Sequence, residues 1–83
     1  MVRVTEVKAL ESYRLWVRFH DGVEGTIDLS SLIEQGVFRK LSDPQEFAKV
    51  AVDTVTHTVA WPNGIDLCPD ALYEDVKAQT KAA

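Results

Sequence analysis

From Tyr13 to His20 apolar and polar residues alternate without a break. Tyr13, Leu15, Val17 and Phe19 fall on one side, and Arg14, Trp16, Arg18 and His20 on the other. Such alternation marks a strand with one buried face. Val23, Gly25 and Ile27 continue the pattern after Asp21-Gly22. Upstream, Val2 and Val4 and then Val7 and Ala9 predict a first strand. Its alternation slips at Thr5-Glu6, as it does at a β-bulge.

The pattern also selects a register for the hairpin. A two-residue Asp21-Gly22 loop would set Phe19 opposite Glu24 and Val17 opposite Thr26, mixing the two faces. A three-residue loop, His20-Asp21-Gly22 with Gly22 left-handed, sets Phe19 against Val23, Val17 against Gly25 and Leu15 against Ile27. On the polar face it pairs Arg18 with Glu24 and Arg14 with Asp28, both of opposite charge. The three-residue loop is therefore predicted.

Leu29 to Gly36 reads as a short helix, with Ser31 and Glu34 as a capping box and Gly36 as the stop. Asp43-Pro44-Gln45-Glu46 opens a second helix, with Asp at the cap and Pro at the first position. Phe38, Leu41 and Phe47 are its expected core anchors. Val50 to Val52 and Thr58 to Trp61 predict two strands, and Ile65-Asp66-Leu67 a brief further one. Pro69 and Asp70 open a last helix carrying Leu72, Tyr73 and Val76 on one side. The expectation is an α+β fold: a small single domain over 1–83 with a mostly antiparallel twisted sheet. The element order is βββ-α-α-ββ(β)-α, helices packed on one face, and a frayed tail over 77–83.

Composition narrows the classes. With 46% hydrophobic residues in 83 there is material for one core but not for two. No apolar run approaches the length of a membrane span, and the N-terminus has no signal-peptide pattern. The single cysteine, Cys68, excludes an internal disulfide framework and suits a cytoplasmic location. A net charge of −4 argues against direct nucleic-acid binding.

Phe19-His20-Asp21-Gly22, Phe38 to Leu41, and above all Trp61-Pro62-Asn63-Gly64-Ile65-Asp66-Leu67 followed by Leu72-Tyr73 resemble a small bacterial family, domain of unknown function 2442. The resemblance runs from about Val4 to Tyr73. It implies a compact α+β domain with a mostly antiparallel sheet and no established activity. Some members carry a helix-turn-helix domain after this module, and others resemble the small partner in a toxin–antitoxin-like pair. This chain stops soon after Tyr73, so no such DNA-binding segment is expected in it. The resemblance carries over no catalytic residue.

Two groups of residues are candidate sites. The first is the hairpin's polar face, where Arg14, Trp16 and Arg18, with Arg3, interleave cations and an aromatic as an interface hot spot does. The second is Trp61, Asn63 and Asp66, where an aromatic surface beside an amide and a carboxylate would hold a polar ligand. Its competing reading is a core Trp61, a Pro62-Asn63-Gly64 turn, and an Asp66 that accepts backbone donors near the last helix. His20 and His57 fall in loops with no second ligand at metal-site spacing, so no metal is expected. Cys68, between Leu67 and Pro69, is expected to be a small buried residue. No phosphate loop, serine elbow or dinucleotide fingerprint occurs. These features point to a non-enzymatic protein-interaction module without cofactor, antitoxin-like or regulatory, that binds a neighbouring gene's product. A homodimer is a second expectation for a sheet with open edges. The alternative is a small-molecule sensor built on Trp61 to Asp66.

Overall fold

In the computed structural model, which describes residues 2–81, strands β1 (Val4–Leu10), β2 (Arg14–Phe19) and β3 (Glu24–Asp28) form an antiparallel sheet in chain order. The register is the one the alternation selects: Arg18 faces Glu24, Val17 faces Gly25, Leu15 faces Ile27 and Arg14 faces Asp28. The Phe19 N–H donates to the Val23 carbonyl, closing the three-residue loop, and Gly22 has φ of 91°. A bulge between Val4 and Glu6 shifts β1 against β2, so Val4, Val7 and Ala9 all turn inward. Each strand thus buries one face.

The second half of the chain contributes α1 (Pro44–Phe47), β4 (Ala51–Asp53), β5 (Thr58–Ala60) and α2 (Pro69–Lys81). β4 and β5 pair as a separate two-stranded sheet, joined to β1 through the Val4 N–H and the His57 carbonyl. α2 packs its Leu72 and Val76 side against β3, and both residues are buried. One core holds Leu15, Val17, Phe19 and Ile27 from the sheet with Leu41, Phe47, Val59 and Trp61 from the second half. The fold is α+β, as the pattern of elements implied. The helix runs through Lys81; residues 82 and 83, the end of the tail expected to fray, lie outside the described residues.

Three expectations are corrected. The helix over 29–36 is instead a short 3-10 turn, Leu32–Glu34, followed by another over Gly36–Ser42. Ser31 is itself in the right-handed helical region and makes no side-chain cap, whereas a cap residue needs extended backbone. Asp28 Oδ1 takes the Ser30 N–H, and Gly36, at φ of 51°, interrupts the run. Residues 65–67 form no strand but a single bridge, Asp66 with Ala60. Cys68 is exposed rather than buried. Ile65 is buried and Leu67 half-buried, so the intervening Asp66 and the following Cys68 face outward. The predicted Asp43 cap is present, its Oδ1 accepting the Gln45 N–H at 2.9 Å.

The chain uses one loop design twice. In Phe19-His20-Asp21-Gly22-Val23 and in Trp61-Pro62-Asn63-Gly64-Ile65 the aromatic N–H donates to the carbonyl of the fifth residue. In both, the glycine N–H returns to the aromatic carbonyl, and the Asp or Asn side chain accepts the fifth residue's N–H. Gly22 and Gly64 sit at φ of 91° and 92°. A Cβ at either would meet nothing within 4 Å, so the penalty for a side chain is conformational alone. Gly22→Ala and Gly64→Ala are each expected to lower unfolding free energy by about 1–2 kcal/mol in urea titrations, without changing the fold.

Candidate functional site

The outer face of the three-stranded sheet is built by the bulge as much as by the alternation. Past Glu6 the odd-numbered residues of β1 turn inward, leaving Glu6, Lys8 and Leu10 outside. Three rows then cross the sheet: Glu6–Arg18–Glu24, Lys8–Trp16–Thr26 and Leu10–Arg14–Asp28. Arg18 lies between two carboxylates, 3.1 Å from Glu6 and 2.8 Å from Glu24. Its bond to Glu24, aided by both negative charges, raises the guanidinium pKa above its ordinary value. Trp16 is half-buried, with Lys8 Nζ 5.6 Å and the Arg18 guanidinium carbon 5.4 Å from its ring centroid. α1 borders this face across a groove at its Leu10, Arg14 and Thr26 corner, and its members other than Trp16 and Arg18 are exposed. Arg14, Trp16 and Arg18 are therefore brought together as expected. Lys8 and Glu6 are the members the sequence reading missed; counting outward positions from the bulge at Thr5-Glu6 would have found them.

The Trp61–Asp66 group is dispersed by the same packing that holds it. Trp61 is only 4% exposed and packs on Phe47, with ring centroids 6.0 Å apart. Its indole N–H donates to the Phe47 carbonyl at 2.9 Å. Asn63 turns its side-chain oxygen onto the Ile65 N–H at 3.2 Å. Asp66 is exposed, and among the described residues its carboxylate accepts none of the backbone donors expected of it near α2. An open groove of about 900 Å³ does exist, between the β1–β2 turn and α1. It is lined by Leu10, Tyr13, Arg14 and Phe47 among others, and Trp61 is not part of it.

The remaining polar residues largely serve local structure. Asp21, Asp28, Asp43 and Asp53 each accept the N–H two residues ahead, and the dispersed acidity of the chain is in part this turn chemistry. The Val55 and Thr56 N–H groups hold Asp53 below the ordinary carboxylate range, and the Ser30 N–H does the same for Asp28. Such groups stay ionised and are poor general acids. Tyr73 on α2 donates its hydroxyl to Asp21 at 2.6 Å, tying the hairpin tip to the helix. That bond, with the Val23 N–H, lowers Asp21; the same bond raises Tyr73.

The two shifts define a testable window. A lowered carboxylate stabilises the fold above its ordinary value and loses that contribution as pH falls through the folded value. A raised tyrosine stabilises below its ordinary value and loses it as pH rises. The stability gap between wild type and Tyr73→Phe is thus expected to be flat from about pH 5 to 9 and to narrow on both sides, as followed by urea unfolding.

The sequence matches the family model described as "Protein of unknown function (DUF2442)" over residues 4–78. The chain belongs to the DUF2442 family. No match was found among curated proteins. Among solved structures, this DUF2442 chain is similar to the crystal structure of "Putative DNA Binding Protein NE0471" from Nitrosomonas europaea ATCC 19718, with a TM-score of 0.83 and 24% identity. The match covers 98% of this chain and 52% of that one, so the DUF2442 chain spans about half of its neighbour's length. At this identity the likeness is one of fold. Among the described residues, no helix is long and apolar enough to cross a membrane, and no group of three or more His, Cys, Asp or Glu is placed to hold a metal ion.

Proposed function

We propose that this DUF2442 chain is a non-enzymatic interaction module. It binds a protein partner in the cytoplasm, the product of a neighbouring gene, in an antitoxin-like or regulatory role. The observation that carries the reading is the open outer sheet face centred on Trp16. An aromatic ring held between two cations is pre-organised, so little side-chain entropy is lost when a partner covers it. The rows around it satisfy Arg18 by carboxylates and place Asp28 opposite Arg14. This balance leaves no basic stripe of the kind phosphate backbones require, and direct nucleic-acid binding by this face is disfavoured. The Nitrosomonas protein is named for DNA binding, but this module spans only 52% of that longer chain at 24% identity, so the name given to the whole is not carried over to it.

The sensor reading draws less support, since Trp61 is interior and Asn63 is engaged in its own turn. The test is affinity capture from native lysate with three tagged proteins: wild type, Trp16→Ala and Asp66→Ala. One stoichiometric partner retained by wild type and Asp66→Ala, and lost by Trp16→Ala, is the expected result. Retention by Trp16→Ala overturns the assignment of the surface. Loss with Asp66→Ala alone would return the weight to the sensor segment.

A further inference from the structure

The three rows of the outer face end at β3, and β3 is an open edge. Among the described residues it pairs with β2 and with no other strand. The Phe19–Val23 and Tyr13–Leu29 backbone bonds fix which residues of the ladder face each other through hydrogen bonds. Alternation then turns the N–H and C=O groups of Glu24, Thr26 and Asp28 away from β2, toward the outside. All three residues are exposed. A row of backbone donors and acceptors with no strand paired to it, on a strand whose inward side is taken by α2, is a template for one more strand.

The side chains say which strand. Across the sheet the first row runs acid, base, acid through Glu6, Arg18 and Glu24, and the third ends base, acid through Arg14 and Asp28. Both charged rows stop on a carboxylate at the open edge. Between them the row of Lys8, Trp16 and Thr26 stops on a small hydroxyl beside a large ring. Cross-strand neighbours of opposite charge stabilise and like charges oppose pairing. A second copy joined antiparallel about Thr26 would set Glu24 against Asp28, acid against acid at both ends.

We infer that the β3 edge accepts an extended segment of a partner protein carrying a basic residue at each of two positions four apart, with an aromatic or long apolar residue midway. This rests on the reading of the chain as a protein-binding module. The two cations would complete the alternating rows over Glu24 and Asp28. The central side chain would lie over Thr26, within reach of Trp16 along the row.

Synthetic seven-residue peptides test the pairing directly. One has the sequence Thr-Lys-Val-Tyr-Val-Lys-Thr, and its control carries Glu in place of both Lys residues. By amide hydrogen exchange, the basic peptide is expected to slow the Glu24, Thr26 and Asp28 amides at least about tenfold, while the acidic one has no effect. Thr26→Pro removes the central edge N–H and is expected to abolish that protection. Glu24→Lys leaves the backbone edge intact and is expected to shift preference toward a peptide carrying Glu opposite that position. Equal binding of the basic and acidic peptides overturns the inference. So does binding that leaves the three amides exchanging freely, absence of binding by the basic peptide, or protection arising from self-association alone. If any of these occurs while the captured partner is still lost with Trp16→Ala, the edge assignment fails and the module reading stands.

Discussion

Replacing Trp61 with alanine is expected to leave the domain at or beyond the edge of folding. The ring is buried against Phe47, and its N–H is held by the Phe47 carbonyl at 2.9 Å. Truncating a buried tryptophan costs about 3–5 kcal/mol, against a total stability of about 5–15 kcal/mol for a typical domain. At roughly 4 °C or more per kcal/mol in a domain of this size, the melting temperature should fall by at least about 12 °C. Trp61→Phe separates the two contributions. It keeps much of the ring burial but leaves the Phe47 carbonyl with only the longer bond from the Val50 N–H, at 3.4 Å. Its expected loss is about 1–3 kcal/mol. Calorimetric melting of the three proteins checks the order. A near-neutral Trp61→Ala would show that the ring is not the centre of packing that its burial indicates.

Trp16→Ala should behave in the opposite way, with a small change in stability and a large one in binding. Trp16 is half-buried, and its close neighbours are the cations Lys8 and Arg18, whose charged ends stay near water. Their removal from the ring releases side chains already near water, so the loss of unfolding free energy is expected to stay under about 1–1.5 kcal/mol. A hot-spot tryptophan contributes 2 kcal/mol or more on truncation, so affinity for the captured partner should fall by about thirtyfold or more. Titration calorimetry with the purified partner, beside a melting curve, measures both. Loss of binding together with loss of the fold would mean that the face is structural.

These two tryptophans show where sequence reading succeeds and where it stops. Both lie in or beside predicted strands, and both were named as candidates. Trp16 falls on the polar side of β2 because Leu15 and Val17 take the apolar side, so its outward direction was legible at once. The direction of Trp61 depends on what stands beyond the strand. Phe47, fourteen residues earlier in the chain, supplies both the ring it packs on and the carbonyl it bonds. No local pattern carries that information. The same contrast holds for the turns: Gly22 and Gly64 are locally specified, whereas the contact of Tyr73 with Asp21 spans 52 positions.

The capping box over Ser31 and Glu34 failed for a related reason. It is a local signal, but Leu29 is already committed to the ladder through its N–H bond to the Tyr13 carbonyl. With Asp28 occupied by the Ser30 N–H, the chain leaves the sheet in a 3-10 turn instead of a capped helix. Tertiary pairing overrode a modest helical preference.

By itself the sequence determined the hairpin register, the bulge, the inward side of β1, β2 and β3, the Asp43 cap and the apolar face of α2. Steric alternation, glycine's access to positive φ and the hydrogen-bonding reach of Asp and Asn act over a few residues and need no distant partner. Only the tertiary structure decided that the strands divide into two sheets, that Trp61 is interior against Phe47, and that β3 has no further strand beside it among the described residues. Those outcomes depend on which surfaces meet across the core, and the burial that selects them is a property of the whole packed chain.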